Sequence, residues 1–199
     1  LFYGAGTAGI GIAQLFVSAL QKNGLAKNEA QSKCWFIDSR GLVVKERKRL
    51  TESKLPFAHH HSPMHNMLDI INTIKPTALI GISGQSQSFS QPVLEAMARI
   101  NERPIIFALS NPTSMSECTA EQAYSWTDGR CIFASGSPFE PVTVNGKTFA
   151  PRQGNNAYIF PGVGLGVVVS RSYVVPDTMF LTAAETLSTM VTDESISSG

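Results

Sequence analysis

Six residues near the start of the chain, Gly4-Ala5-Gly6-Thr7-Ala8-Gly9, follow an apolar run and precede an amphipathic stretch. Glycines at that spacing between a strand and a helix suit a dinucleotide. Gly4 allows the tight turn, Gly6 lets a pyrophosphate approach the backbone, and Gly9 lets the helix pack closely on its strand. The opening N–H groups of the helix, around Thr7 and Ala8, then present a partial positive charge to phosphate. An acid completes the pattern: Asp38 ends the next apolar run, Trp35-Phe36-Ile37, where a carboxylate would bind ribose hydroxyls. Asp38 lies 29 residues beyond Gly9, against the usual spacing of about 20, and the excess falls in residues 24–33, appended to the first helix. The same residues also admit a plainer reading, a structural turn followed by a surface aspartate.

Other side chains tempt less. His59-His60-His61 with His65 suggests zinc, but consecutive histidines point in different directions, and Cys34, Cys118 and Cys131 have no partner spacing. Gly162-x-Gly164-x-Gly166 resembles a second phosphate loop; between Pro161 and the valines at 167–169 it reads better as a closely packed helix start. Met97, Met115, Met179 and Met190 read as core or cap residues.

The elements that must position these groups follow from periodicity. Residues 34–37, 78–82, 105–109 and 131–134 are short apolar runs ending in turn formers, hence strands. Because they are apolar nearly throughout, both sheet faces should be covered, as parallel sheets require. Helices are expected between them. The first covers 7–23, with Ile10, Ala13, Leu15, Phe16, Ala19 and Leu20 inward; another starts at Ser62-Pro63 and ends before Pro76. A third covers 92–101, and a short one follows the capping box Thr119-x-x-Gln122 as far as Trp126. Residues 135–153 read as loop with a small hairpin across Asn145-Gly146, a tail helix covers 178–191, and 193–199 should fray. Strands alternating with helices predict one α/β domain over 1–199: a three-layer, Rossmann-like, doubly wound, mostly parallel sheet. The strand ending at Tyr3 should lie between 34–37 and 78–82, with the cofactor in the crevice beside it and the 83–89 loop closing over it.

Composition agrees. A chain of 199 residues, 43% hydrophobic and 16% charged, suffices for a buried core, and a net charge of +1 argues against nucleic acid as a partner. No uninterrupted apolar stretch is long enough to span a membrane, and three scattered cysteines suit a reducing compartment. The opening Leu1-Phe2-Tyr3 is neither a start methionine nor a signal peptide, so the chain reads as part of something longer.

Three loop segments are more specific than the fold. Ala108-Leu109-Ser110-Asn111-Pro112-Thr113, Phe133-Ala134-Ser135-Gly136-Ser137-Pro138-Phe139 and the stretch from Gln153-Gly154-Asn155-Asn156 to Pro161-Gly162 resemble signature segments of the malic enzymes, in order, and the likeness runs over essentially the whole chain. The resemblance implies the cofactor domain of an enzyme that oxidatively decarboxylates (S)-malate to pyruvate and carbon dioxide, with NADP or NAD and Mg or Mn. It places Asn111, Asn155 and Asn156 beside malate, with Asn111 and Asn156 also on the nicotinamide side, and Ser83 and Gly84 in a cofactor loop. In the family a lysine, a tyrosine and acidic metal ligands do the chemistry, and all precede the glycine turn. The resemblance therefore implies no catalytic residue and no metal ligand here, and a 199-residue piece inactive alone. It also implies a homo-oligomer in full-length form and an intracellular setting, cytoplasmic or mitochondrial matrix.

Asp38 by itself favours NAD, because a carboxylate repels a 2′-phosphate. Ser39, Arg40 and Lys54 tip the expectation to NADP: Ser39 and Lys54 resemble the choices of NADP-using members, in which the lysine meets the phosphate. The sequence departs from the family at Thr7, where many members carry Glu, in the 83–87 loop, and at Arg152, where Gly is usual and a side chain would be strained if φ were positive. Two alternatives stand beside this reading: the cofactor domain of another dehydrogenase, such as one acting on amino acids, and a non-catalytic nucleotide-binding module.

Overall fold

The computed structural model describes residues 1–192; the frayed tail expected at 193–199 lies outside them. The strands are β1 (Phe2–Tyr3), β2 (Phe36–Asp38), β3 (Gly41–Leu42), β4 (Ala78–Gly81), β5 (Ile105–Ala108), β6 (Ile132–Ser135), β7 (Val142–Val144), β8 (Lys147–Phe149) and β9 (Arg152–Gln153). The helices are α1 (Thr7–Lys22), α2 (Lys27–Ser32), α3 (Met67–Ile74), α4 (Gln91–Ile100), α5 (Ala120–Ser125), α6 (Phe160–Ser170) and α7 (Asp177–Thr189). Seven strands form one sheet in the order β3-β2-β1-β4-β5-β6-β9, parallel except where β3 turns back on β2. This is the expected α/β architecture: chain order reverses at β1, which pairs with β2 on one side and β4 on the other.

Two apolar clusters sandwich the sheet. On one face Phe2, Ile10, Ala13, Val17, Phe36 and Phe57 pack under α1 and α2, with the Phe2 and Phe36 rings stacked at 4.8 Å. On the other, α3, α4 and α5 bury Ile70, Ile71, Leu79, Leu94, Met97, Ile106 and Phe133. Coverage is less even than the apolar runs suggest. In β5 and β6, Ile106, Ala108, Phe133 and Ser135 are buried, whereas alternate residues Ile105, Phe107 and Ala134 are only half-buried and Ile132 is exposed. The crossovers β4-α4-β5 and β5-α5-β6 place both helices on the same side, so neither crossover helix covers the opposite side of these strands.

Several local expectations need correction. The helix expected from Ser62-Pro63 begins at Met67, capped by Asn66, whose side chain accepts from the Asp69 N–H at 3.2 Å. Before it the chain is tied to the sheet edge, where the Met64 carbonyl accepts from the Leu42 N–H at 2.7 Å, in place of a first helical turn. The inner face of α1 is the narrower Ile10, Ala13, Val17 stripe, and Phe16 is exposed. The long interval before Asp38 is filled by α2, a separate helix. Arg152 is not among the positive-φ residues and forms the parallel edge strand β9, so its replacement of glycine strains nothing. Met97 is core and Met190 caps α7, but Met115 is exposed.

Other local expectations match. Thr119 and Gln122 form both capping-box bonds, at 3.1 and 2.8 Å. Asn145 and Gly146 (φ 52° and 77°) turn β7 into β8, the positive-φ pair that a two-residue hairpin requires. The glycines at 162, 164 and 166 lie within α6.

Candidate functional site

The glycine turn crosses from β1 to α1. Gly4 has φ +121°, and a Cβ there would sit 2.7 Å from the Ile82 carbonyl oxygen. A Cβ on Gly9 would collide with the Gly4 carbonyl and lie 2.6 Å from Ile82 Cδ1, so α1 packs against β1 and β4 too closely for any side chain. Gly6 differs: it is the α1 N-cap, and nothing lies within 4 Å of its Cβ position. The space above Gly6 is open, and the first-turn N–H groups at Thr7, Ala8 and Gly9 have no partner four residues back within the helix.

Beside this turn a cleft of about 620 Å³ runs along the carboxyl ends of β1, β2 and β4. Gly4, Ala5 and Gly6 form its floor, Asp38, Ser39 and Lys54 one end, and Ile82, Ser83 and Gln85 the other. Asp38 is the electrostatic centre of its end. Its carboxylate accepts from Arg47 at 2.8 and 2.9 Å, from Lys54 Nζ at 2.7 Å and from the Arg40 N–H at 2.9 Å. Burial alone would raise its pKa; the hydrogen bonds from Lys54, Arg47 and the Arg40 backbone, with the guanidinium charge, outweigh burial and hold it below the usual carboxylate value. Two cations on one carboxylate leave one positive charge in surplus. Arg47 is also fixed by the Gly41 and Leu42 carbonyls at 2.5 and 2.6 Å, so Lys54 is the less anchored of the two. Arg40 turns away from the cleft into a neighbouring basic depression with Arg47, Lys48, Arg49 and His65.

The far end is built from loops after β4, β5 and β6. Gly84 has φ +67°, and its N–H donates to Ser110 Oγ at 2.9 Å. Asn111 stands past the end of β5, where Ser137 Oγ donates to its side-chain oxygen at 2.6 Å. Gly136 permits that approach, since a Cβ there would meet the Leu109 carbonyl and lie 2.9 Å from Asn111 Oδ1. Asn155 and Asn156 stand at a single 3-10 turn between β9 and α6, where Asn155 Oδ1 accepts from the Ala157 N–H at 2.9 Å. The structure therefore brings the glycine turn, Asp38, Ser39, Lys54 and Ser83 to one cleft, holds Gly84 and Asn111 on adjoining loops, and leaves Asn155 and Asn156 outside the cleft lining.

The 83–89 loop is a fixed wall in this structure. Gln87 and Phe89 N–H groups donate to the Ser116 and Glu117 carbonyls at 3.1 and 2.9 Å, and Gln122 Nε2 reaches Gln87 Oε1 at 2.7 Å. Glu117, unsuspected from sequence, lies fully buried behind that wall. The histidines diverge: His59 stacks on Trp35 at 3.5 Å with Nε2 2.8 Å from the Cys34 carbonyl, His60 faces Glu46 at 3.4 Å, and His61 meets the edge of Trp35. Among the described residues no three His, Cys, Asp or Glu side chains are grouped to hold a metal ion, and no helix is long and apolar enough to cross a membrane.

A doubly wound sheet with a glycine turn at its switch point and a cleft at the carboxyl ends of its strands defines a dinucleotide-binding domain of the Rossmann type. Residues 1–199 match the family model "Malic enzyme, NAD binding domain". An NADP-dependent malic enzyme of Homo sapiens is 55% identical over 200 residues, that of Vitis vinifera 54% over 201, and NADP-dependent malic enzyme 3 of Arabidopsis thaliana 53% over 201; each covers 100% of this chain. The chain belongs to the malic enzyme family and is its NAD-binding domain. It spans 34% to 35% of the length of those relatives. The amino-acid dehydrogenase alternative falls with that membership.

Proposed function

We propose that this chain is the cofactor domain of an NADP-preferring malic enzyme, which, with Mg or Mn as its metal cofactor, converts (S)-malate and NADP to pyruvate, carbon dioxide and NADPH. The family match over 1–199 carries the proposal, and the relatives named NADP-dependent malic enzymes support the cofactor preference. NADP, when bound, would supply the hydride acceptor for the oxidation of malate. This chain binds and orients. The open face of Gly6 and the amides of Thr7 and Ala8 receive the diphosphate, with Gly4 and Gly9 keeping the helix close. Asp38 takes the ribose end, and the surplus positive charge of Lys54 beside it, with Ser39 adjoining and Arg40 in the neighbouring basic depression, favours a 2′-phosphate over a bare hydroxyl. The loops bearing Ser83, Gly84 and Asn111 face the nicotinamide; Asn111, Asn155 and Asn156 orient malate with neutral amides that add no competing acid or base.

The catalytic base, the catalytic acid and the metal ligands then come from the part of the enzyme that these residues lack. That part has a place to bind. α6 is apolar on all sides, with Phe160, Leu165, Val168 and Val169 57% to 73% exposed, and nothing lies within 4 Å of a Cβ on Gly162, Gly164 or Gly166. A helix apolar all round belongs in an interior. We assign its cover, and that of the open side of β5 and β6, to the remaining length that the relatives possess. The full-length enzyme is a homo-oligomer of the cytoplasm or mitochondrial matrix in this reading.

Purified full-length protein assayed with (S)-malate, NADP and Mg or Mn should produce NADPH and pyruvate in equal amounts, and the 199-residue chain should produce neither. Cofactor binding without malate turnover in the full-length protein would favour the non-catalytic module instead.

A further inference from the structure

Glu117 is 0% exposed. Among the described residues it has no salt-bridge partner; its hydrogen bonds come from two loops. Oε1 accepts from Ser110 Oγ at 2.5 Å, from the Ser83 N–H at 3.1 Å and from Ser83 Oγ at 3.4 Å, while Oε2 accepts from the Ser110 N–H at 3.3 Å. Ser110 Oγ in turn accepts from the Gly84 N–H at 2.9 Å, forming a relay from Gly84 through Ser110 to Glu117. The carboxylate lies flat on β4: a Cβ on Gly81 would come within 2.5 Å of Glu117 Cδ. The backbone carbonyl of Glu117 also fixes Phe89.

A buried carboxylate is expensive unless all its acceptor capacity is used, and a purely structural position would be filled more cheaply by an apolar side chain. What these hydrogen bonds secure is the spacing between the β4 loop at Ser83-Gly84 and the β5 loop at Ser110-Asn111. Those two loops border the far end of the cleft. We propose that Glu117 is a positioning residue for cofactor binding, a buried clamp that sets the separation of the β4 and β5 loops around the nicotinamide end. The inference rests on the cofactor reading above. Glutamine replaces it poorly: the Ser83 N–H faces Oε1 and the Ser110 N–H faces Oε2, so whichever way the amide is turned its NH2 group meets a backbone N–H.

The test uses the full-length enzyme and compares Glu117→Gln, Ser110→Ala, the double variant and a core control, Met97→Ala, whose side chain is buried in α4. Cofactor Kd is read from NADPH fluorescence, together with KM for NADP, KM for malate and kcat, well below each Tm. Glu117→Gln should weaken NADPH binding and raise KM for NADP about tenfold, more than it changes kcat. Ser110→Ala should shift both constants in the same direction, and the double variant should fall short of the product of the single effects. Met97→Ala should lower Tm and leave Kd and KM in place. Wild-type Kd and KM in Glu117→Gln, or an equal shift in Met97→Ala, overturns the proposal. If Glu117→Gln does not fold, an unchanged Kd in Ser110→Ala overturns it alone. Unmutated protein that binds no NADPH refutes the cofactor reading instead, so the two failures are distinct.

Discussion

Replacing Lys54 by glutamine removes one charge at one end of the cleft with little change of bulk. Lys54 Nζ lies 2.7 Å from Asp38 Oδ2, and the two side chains are 20% and 13% exposed. Asp38, Arg47 and Lys54 together carry one net positive charge; Lys54→Gln takes it to zero and leaves Arg47 on the carboxylate at 2.8 Å. A charge-assisted hydrogen bond to a phosphate at this depth is worth about 1.5 to 3 kcal/mol. Because 1.4 kcal/mol is a factor of ten, NADP binding should weaken about 10- to 140-fold. NAD lacks the phosphate and should change by no more than about two- to threefold. Fluorescence titration with NADPH and NADH, with KM for each cofactor, reads both arms on one preparation. An unchanged NADP-to-NAD ratio would remove Lys54 from cofactor selection and refute the surplus-charge reasoning.

Other substitutions separate folding from binding. Gly6→Ala should keep wild-type stability, because its Cβ enters open space at an ordinary φ of −82°, yet weaken cofactor binding by at least tenfold; urea melts and NADPH titration check both. Gly4→Ala should instead destabilise by about 2 to 4 kcal/mol, having positive φ and a carbonyl 2.7 Å from the new methyl. Burial lowers the His59 pKa below 6.5, with Lys45 and His61 charges adding to it against the bond to the Cys34 carbonyl. The unfolded chain thus protonates first as pH falls, and stability declines from about pH 6.5 downward. His59→Phe should flatten that decline in urea melts between about pH 6.5 and 5. The stabilisation from Asp38, whose folded value is also depressed, persists to lower pH and is lost only below about pH 4. Burial pushes the Cys34 and Cys131 thiols up to about 11, and Cys118 higher. A thiol reagent at pH 8 should label none of the three in the folded protein and all three in denaturant.

Much of this fold was legible because local chemistry and tertiary need coincide. The glycine turn, the Thr119 capping box and the Asn145-Gly146 turn are each dictated within a few residues, and the apolar runs gave the parallel strands and their order. Failures came where a distant partner decided. Ser62-Pro63 has the right types to begin a helix, but the Met64 carbonyl is taken by Leu42 across the sheet edge, so Asn66 becomes the cap. β3 and β9 have two residues each, too short for any period to show. Asp38 is legible as the acid that ends the second strand; that Arg47 and Lys54 both close on it depends on a chain reversal no spacing reveals. Glu117 reads as one polar residue in a serine-rich loop, and only the approach of Gly81, Ser83 and Ser110 shows it to be buried.

In the proposed function the cleft above Gly6 seats the diphosphate, with the adenosine end toward Asp38 and Lys54. A crystal structure of the full-length protein with NADP tests it most directly. It should show diphosphate oxygens on the Thr7 and Ala8 amides and the 2′-phosphate within hydrogen-bonding distance of Lys54. Cofactor bound elsewhere, or an empty cleft at saturating NADP, would contradict it.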